Sequence, residues 1–168
     1  GTLMHADKRF WKKLIAAFSD KRVEVICAVG SEKLRRSLRN LPPNVRVYAR
    51  VPQLTVLRRA ALFVTHGGMN SANEALYYGV PMIVIPFGLD QPLVGRELVR
   101  RKLGRVIAPR ELTAARLWRT AKDLRRDPEA REARIEMQRK AQASGGNLEV
   151  AKCILEDLAA REAGRRAE

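Results

Sequence analysis

Cysteine is nearly absent from this sequence: only Cys27 and Cys153 occur, far apart and in no C-x-x-C spacing. That excludes a disulfide framework and reads as two buried thiols in a reducing compartment. Aromatic residues are equally scarce, at 5%, too few for the stacking platforms that grip single-stranded nucleic acid. No apolar run approaches the ~20 residues that span a bilayer. The opening residues Gly1-Thr2-Leu3-Met4-His5 lead straight into charged positions and do not resemble a signal peptide. A cytoplasmic protein without a transmembrane segment is the expectation. What is abundant is positive charge, since 33 Lys and Arg against 18 Asp and Glu give +15. The excess is spread over both halves rather than gathered in a tail. It is either a solvated basic surface or an attraction to something anionic: nucleotide, nucleic acid or a membrane face. At 168 residues, 46% of them apolar, the chain suits one domain burying roughly 70% of its unfolded surface.

Strand-like and helix-like segments alternate with short connections. Phe10, Trp11, Leu14, Ile15 and Phe18 recur at helical spacing from Lys8 to Phe18. Val23 to Val29 is a short apolar run, and Ser31 caps a helix that ends before Pro42-Pro43. Val45 to Ala49 reads as a strand, Pro52 to Ala60 as a short helix, and Ala61 to Thr65 as a strand. That strand runs directly into His66-Gly67-Gly68-Met69-Asn70-Ser71, with a helix from Ala72 to Tyr78 beyond. Further strands are predicted at Pro81 to Pro86 and Arg105 to Ala108, and helices from Asp90 to Lys102 and Thr113 to Arg125. Asp127-Pro128 opens a helix to about Ala143, and a last one runs from about Leu148 to Arg161. Apolar strands each followed by a helix predict an α/β fold, a Rossmann-like doubly wound parallel sheet covered on both faces. Ligands of such folds bind beyond the carboxyl ends of the strands. A doubly wound domain normally opens with a strand, whereas this sequence opens with a helix. The expectation is that the first strand is missing, having been cut away with a longer chain.

The turn after Thr65 suits an anion. Gly67 and Gly68 allow close backbone approach and positive φ. The N–H groups at the start of the following helix favour negative charge. Asn70 and Ser71 add short donors and His66 an imidazole, so a diphosphate is a natural occupant. Each of these residues also has a plainer reading. Ser71-Ala72-Asn73-Glu74 is a capping-box pattern. Asp90 before Gln91-Pro92 is a possible N-cap, and a lone histidine is more often a core residue.

In combination, His66-Gly67-Gly68-Met69-Asn70-Ser71 with Glu74, Gly79-Val80-Pro81, Pro86 and Asp90-Gln91 closely resembles a known signature. It is the donor-binding motif of family 1 nucleotide-sugar glycosyltransferases of the GT-B fold, nearest the bacterial macrolide/flavonoid branch. Val51-Pro52-Gln53 and Ser144-Gly145-Gly146 are similar to that family as well. The resemblance covers nearly the whole chain and implies the C-terminal, donor-binding half. Residues 1–163 would form one donor-binding domain and residues 164–168 a frayed tail, without the N-terminal acceptor domain. It further implies that His66, Gly67, Gly68, Met69, Asn70 and Ser71 hold the diphosphate and that Glu74 accepts from the ribose hydroxyls. Asp90 and Gln91 would bind the sugar, and Val51 and Gln53 would meet base and ribose, with Thr2 near the phosphates. Arg50 stands where the family commonly places an aromatic residue on the base, and its guanidinium plane can stack in that place.

The resemblance implies an inverting hexosyltransferase taking a UDP-sugar, or a dTDP-sugar, as co-substrate. No metal or other cofactor is expected. The catalytic base and the pocket for a small-molecule acceptor belong to the N-terminal domain of such enzymes. His5 does not match that base and reads as an exposed loop residue. The chain alone is therefore expected to bind donor without transferring it. The alternatives are a non-catalytic nucleotide-binding or auxiliary module, a basic nucleic-acid-binding domain and, less well matched by this spacing, a nucleotide-sugar epimerase.

Overall fold

The computed structural model describes residues 6–145. Helix α1 (Lys8–Phe18) forms where its apolar spacing predicts, with Asp7 accepting from the Phe10 N–H at 2.8 Å as its cap. Strands β1 (Val25–Ala28) and β2 (Val45–Tyr48) pair in parallel, joined through α2 (Glu32–Ser37), which Ser31 caps. After the short helix α3 (Gln53–Leu57) come β3 (Phe63–Thr65), β4 (Met82–Val84) and β5 (Gly104–Val106). These three are parallel, in the order β3-β4-β5. They are connected by α4 (Met69–Tyr77) and α5 (Gln91–Arg100), and α6 (Ala114–Arg126) and α7 (Pro128–Ala143) follow.

The side-chain alternation of a strand decides the layering. Ile83 and the adjoining Ile85 join Leu14 and Ala17 of α1 and Leu117, Ala121 and Leu124 of α6 on one face. Met82 and Val84 join Ala72 and Ala75 of α4 and Val94 and Leu98 of α5 on the other. Both clusters meet in β4, whose three residues are fully buried. A central strand covered by helices on both faces is the predicted doubly wound α/β arrangement.

Three expectations change in detail. The sheet is not continuous: β1-β2 and β3-β4-β5 are separate ladders, and among the described residues none joins β1 to β3. Helix α1 bridges them instead, with Ile15 in the β1-β2 cluster, Leu14 in the cluster under β4, and Trp11 packed against both. Nor, among the described residues, is the first ladder covered on both faces: Ile26 and Tyr48 are about two-fifths exposed. Finally, α4 begins at Met69 rather than Ala72, with Gly68 in the N-cap position. The glycine turn closes so tightly that Met69, Asn70 and Ser71 are already helical. The predicted last helix and tail, together with Thr2, His5, Gly146 and Cys153, lie outside the described residues.

Candidate functional site

Thr65 ends β3, and its buried Oγ1 accepts from the Gly67 N–H at 3.2 Å, which folds the chain back over the strand end. Gly67 takes φ +88°, and a Cβ there would stand 2.6 Å from Val84 Cγ1. The position therefore requires glycine twice over, for its backbone angle and for its closeness to β4. Thr65 carries no sequence signal beyond its place one residue ahead of His66.

Gly68 opens α4, and among the described residues no side chain caps it. The first intrahelical bond runs from the Ala72 N–H to the Gly68 carbonyl at 3.0 Å. The N–H groups of Met69, Asn70 and Ser71 precede that bond, so they are the orphan donors of the helix start. The positive end of the helix dipole adds to them. The imidazole of His66 lies over this mouth, since a Cβ on Gly68 would stand 2.7 Å from its Nε2. Burial holds the His66 pKa below its usual 6.5, and the nearby Asp90 carboxylate works in the opposite direction. His66 is thus neither an isolated core residue nor fully solvated.

The capping-box reading of Ser71 and Glu74 does not survive the earlier start of α4. Ser71 is the third helical residue, and neither side chain caps the helix. Both face α3 instead. Gln53 Nε2 donates to Ser71 Oγ at 3.1 Å and to Glu74 Oε2 at 2.5 Å. Asp90 does occupy the N-cap position of α5, but its side chain makes no capping bond and is exposed. Gln91 is buried, and its Oε1 accepts from the Phe87 N–H at 2.8 Å, bracing the loop that carries Asp90. What Gln91 retains for a ligand is its amide nitrogen.

The structure thus brings together Gln53, His66, Gly67, Gly68, Met69, Asn70, Ser71 and Glu74 around one helix start, with Asp90 in electrostatic reach of His66. Arg50 is exposed and Val51 half-buried just ahead of α3. Neither makes a side-chain hydrogen bond or ion pair to the group among the described residues. Thr2 lies outside the described residues. A helix mouth with free N–H donors and an imidazole can neutralise a diphosphate. A carboxylate one helical turn farther on can accept from neighbouring hydroxyls.

The family model described as "Erythromycin biosynthesis protein CIII-like, C-terminal domain" matches residues 12–158. The chain is similar to the uncharacterized UDP-glucosyltransferase YojK of Bacillus subtilis (strain 168), with 35% identity over 156 residues. That match covers 93% of this chain and 38% of the relative, so the chain spans well under half the relative's length. Among solved structures, the calicheamicin glycosyltransferase CalG4 superposes with a TM-score of 0.88 at 29% identity, covering 97% of this chain and 42% of that one. The glycosyltransferase VinC in complex with dTDP superposes with a TM-score of 0.76 at 27% identity, covering 89% and 37%.

Proposed function

The chain belongs to the erythromycin biosynthesis protein CIII-like C-terminal domain family of glycosyltransferases, and from that premise we propose that it holds a UDP-hexose for inverting transfer to a small-molecule hydroxyl. The observation that carries the reading is the uncapped start of α4, with His66 over it and Glu74 one turn beyond. In this reading the diphosphate sits on the N–H groups of residues 69–71, with the His66 imidazole beside it. Charge-assisted bonds of this kind contribute on the order of 1.5–3 kcal/mol each. As the glycosidic bond breaks, negative charge grows on the leaving diphosphate, and donors already aimed at it lower the barrier. Asp90, with the amide of Gln91, fixes the hexose, and Arg50 and Val51 meet the base. The Glu74 carboxylate favours ribose over deoxyribose, hence UDP over dTDP, because it has two oxygens to offer a diol. The pocket for the acceptor and the base that deprotonates its hydroxyl come from the N-terminal half of a complete enzyme.

A thermal-shift titration tests the first part. UDP at 100 times its dissociation constant should stabilise the chain by roughly 2.7 kcal/mol, and no shift at millimolar UDP refutes donor binding. Incubation with UDP-glucose and phenolic acceptors should yield no glycoside, and efficient turnover by the chain alone overturns the division of labour.

Affinity for the donor should also depend on pH through His66. Burial disfavours the charged form of the free imidazole and holds its pKa below the usual 6.5. A bound diphosphate favours the imidazolium, so binding takes up a proton. Affinity for UDP-glucose, whose diphosphate does not titrate in this range, is expected to rise about threefold to tenfold from pH 8 to pH 6.5. Isothermal titration at the two pH values checks this. His66→Gln should flatten the profile, and an equally steep profile in that variant assigns the proton elsewhere.

A further inference from the structure

We propose that Gln53 is a positioning residue that gives the site its preference for ribose, by holding the Glu74 carboxylate in one orientation; this rests on the reading of Glu74 as the ribose acceptor. The Gln53 amide nitrogen donates to Ser71 Oγ at 3.1 Å and to Glu74 Oε2 at 2.5 Å. The bonds cross from α3 to α4, and all three side chains are half-buried. Ser71 and Glu74 stand three apart, on one face of α4, so a single planar amide fixes both.

The physical consequence concerns freedom. A glutamate side chain has three rotatable bonds, and ordering it against a ligand is entropically costly unless it is already ordered. Gln53 orders it in the free chain. One carboxylate oxygen, Oε1, has no partner among the described residues, and Oε2 keeps a second acceptor site beside the amide bond. That pair matches two adjacent hydroxyls. A deoxyribose offers one of them, and a carboxylate that cannot turn away is left with an acceptor desolvated and unmatched. A site built to receive a hydroxyl penalises the analogue that lacks it, provided the acceptor cannot relax to water. Without Gln53 the carboxylate swings to solvent, and the penalty for the missing hydroxyl falls.

The test measures dissociation constants of UDP and 2′-deoxyuridine diphosphate for the wild-type chain, Gln53→Ala and Gln53→Met. The methionine variant keeps side-chain length and packing between α3 and α4 and removes only the donors. The wild type is expected to favour UDP by about tenfold or more. Both variants should fall to about threefold or less, mainly by losing UDP affinity while deoxyribose binding holds. The wild type binding both nucleotides equally overturns the proposal, as does Gln53→Met retaining the wild-type ratio. Failure of the wild type to bind UDP overturns the functional reading itself, which is a different result from UDP binding with an unchanged ratio.

Discussion

Glu74→Ala is expected to lower affinity for UDP by about 100-fold or more, while the unliganded chain melts within about 2 °C of the wild type. The loss follows from chemistry: a carboxylate accepting from hydroxyls makes bonds on the order of 1.5–3 kcal/mol each, and two are removed together. The unchanged melting temperature follows from where α4 begins. Were Glu74 half of a capping box, its removal would cost ~1 kcal/mol and fray the helix. The helix starts at Met69 with no side-chain cap among the described residues, so Glu74 lies in its interior, where alanine is the better helix former. Gln53 keeps its bond to Ser71 in the variant. Calorimetric titration with UDP and a melt of the free chain read the two effects separately. An affinity within threefold of the wild type removes Glu74 from the site, and a large drop in melting temperature restores its capping role.

That contrast marks how far this site was legible in the amino-acid sequence. The glycine turn, the helix behind it and the two carboxylates are visible as residue types at fixed spacing. So is the fold class, because buried parallel strands are short apolar runs and their helices carry 3.6-residue periodicity. Which turn of α4 comes first is not visible, since Ser71 and Glu74 fit a helix beginning at either place. The answer comes from packing: Thr65 and Val84 draw the Gly67 turn in so closely that helix begins at once. The link from Gln53 to Glu74 spans 21 positions and has no local signature. Nor does the bond from the Phe87 N–H to Gln91, which braces the loop carrying Asp90 and leaves the Gln91 amide nitrogen for a ligand. The break between the two ladders is equally a matter of what stands beside what. Periodicity along one strand does not report its neighbour.

The two adjacent glycines should respond to alanine in opposite ways. Gly67→Ala is expected to lower the free energy of unfolding by about 2–5 kcal/mol. Part of that is the backbone, because a left-handed conformation costs an L-residue roughly 1–2 kcal/mol and Gly67 sits at φ +88°. The rest is overpacking: the new methyl would meet Val84 Cγ1 at 2.6 Å, and Val84 is a fully buried residue of the central strand. Forcing a methyl into such a core typically costs about 1–3 kcal/mol. A domain with 5–15 kcal/mol of stability as a rule has little left over after that loss, so urea unfolding should show a much lower midpoint. Gly68→Ala meets neither obstacle, for its φ of −63° suits any residue. Its methyl collides only with the His66 ring, at 2.7 Å from Nε2, and that side chain can swing aside. The variant should therefore keep its urea midpoint and lose donor affinity, because the imidazole leaves the helix mouth. Equal destabilisation of the two variants would mean that the His66 ring is locked into the core. Unchanged UDP-glucose binding by Gly68→Ala would mean that the ring stands clear of the diphosphate.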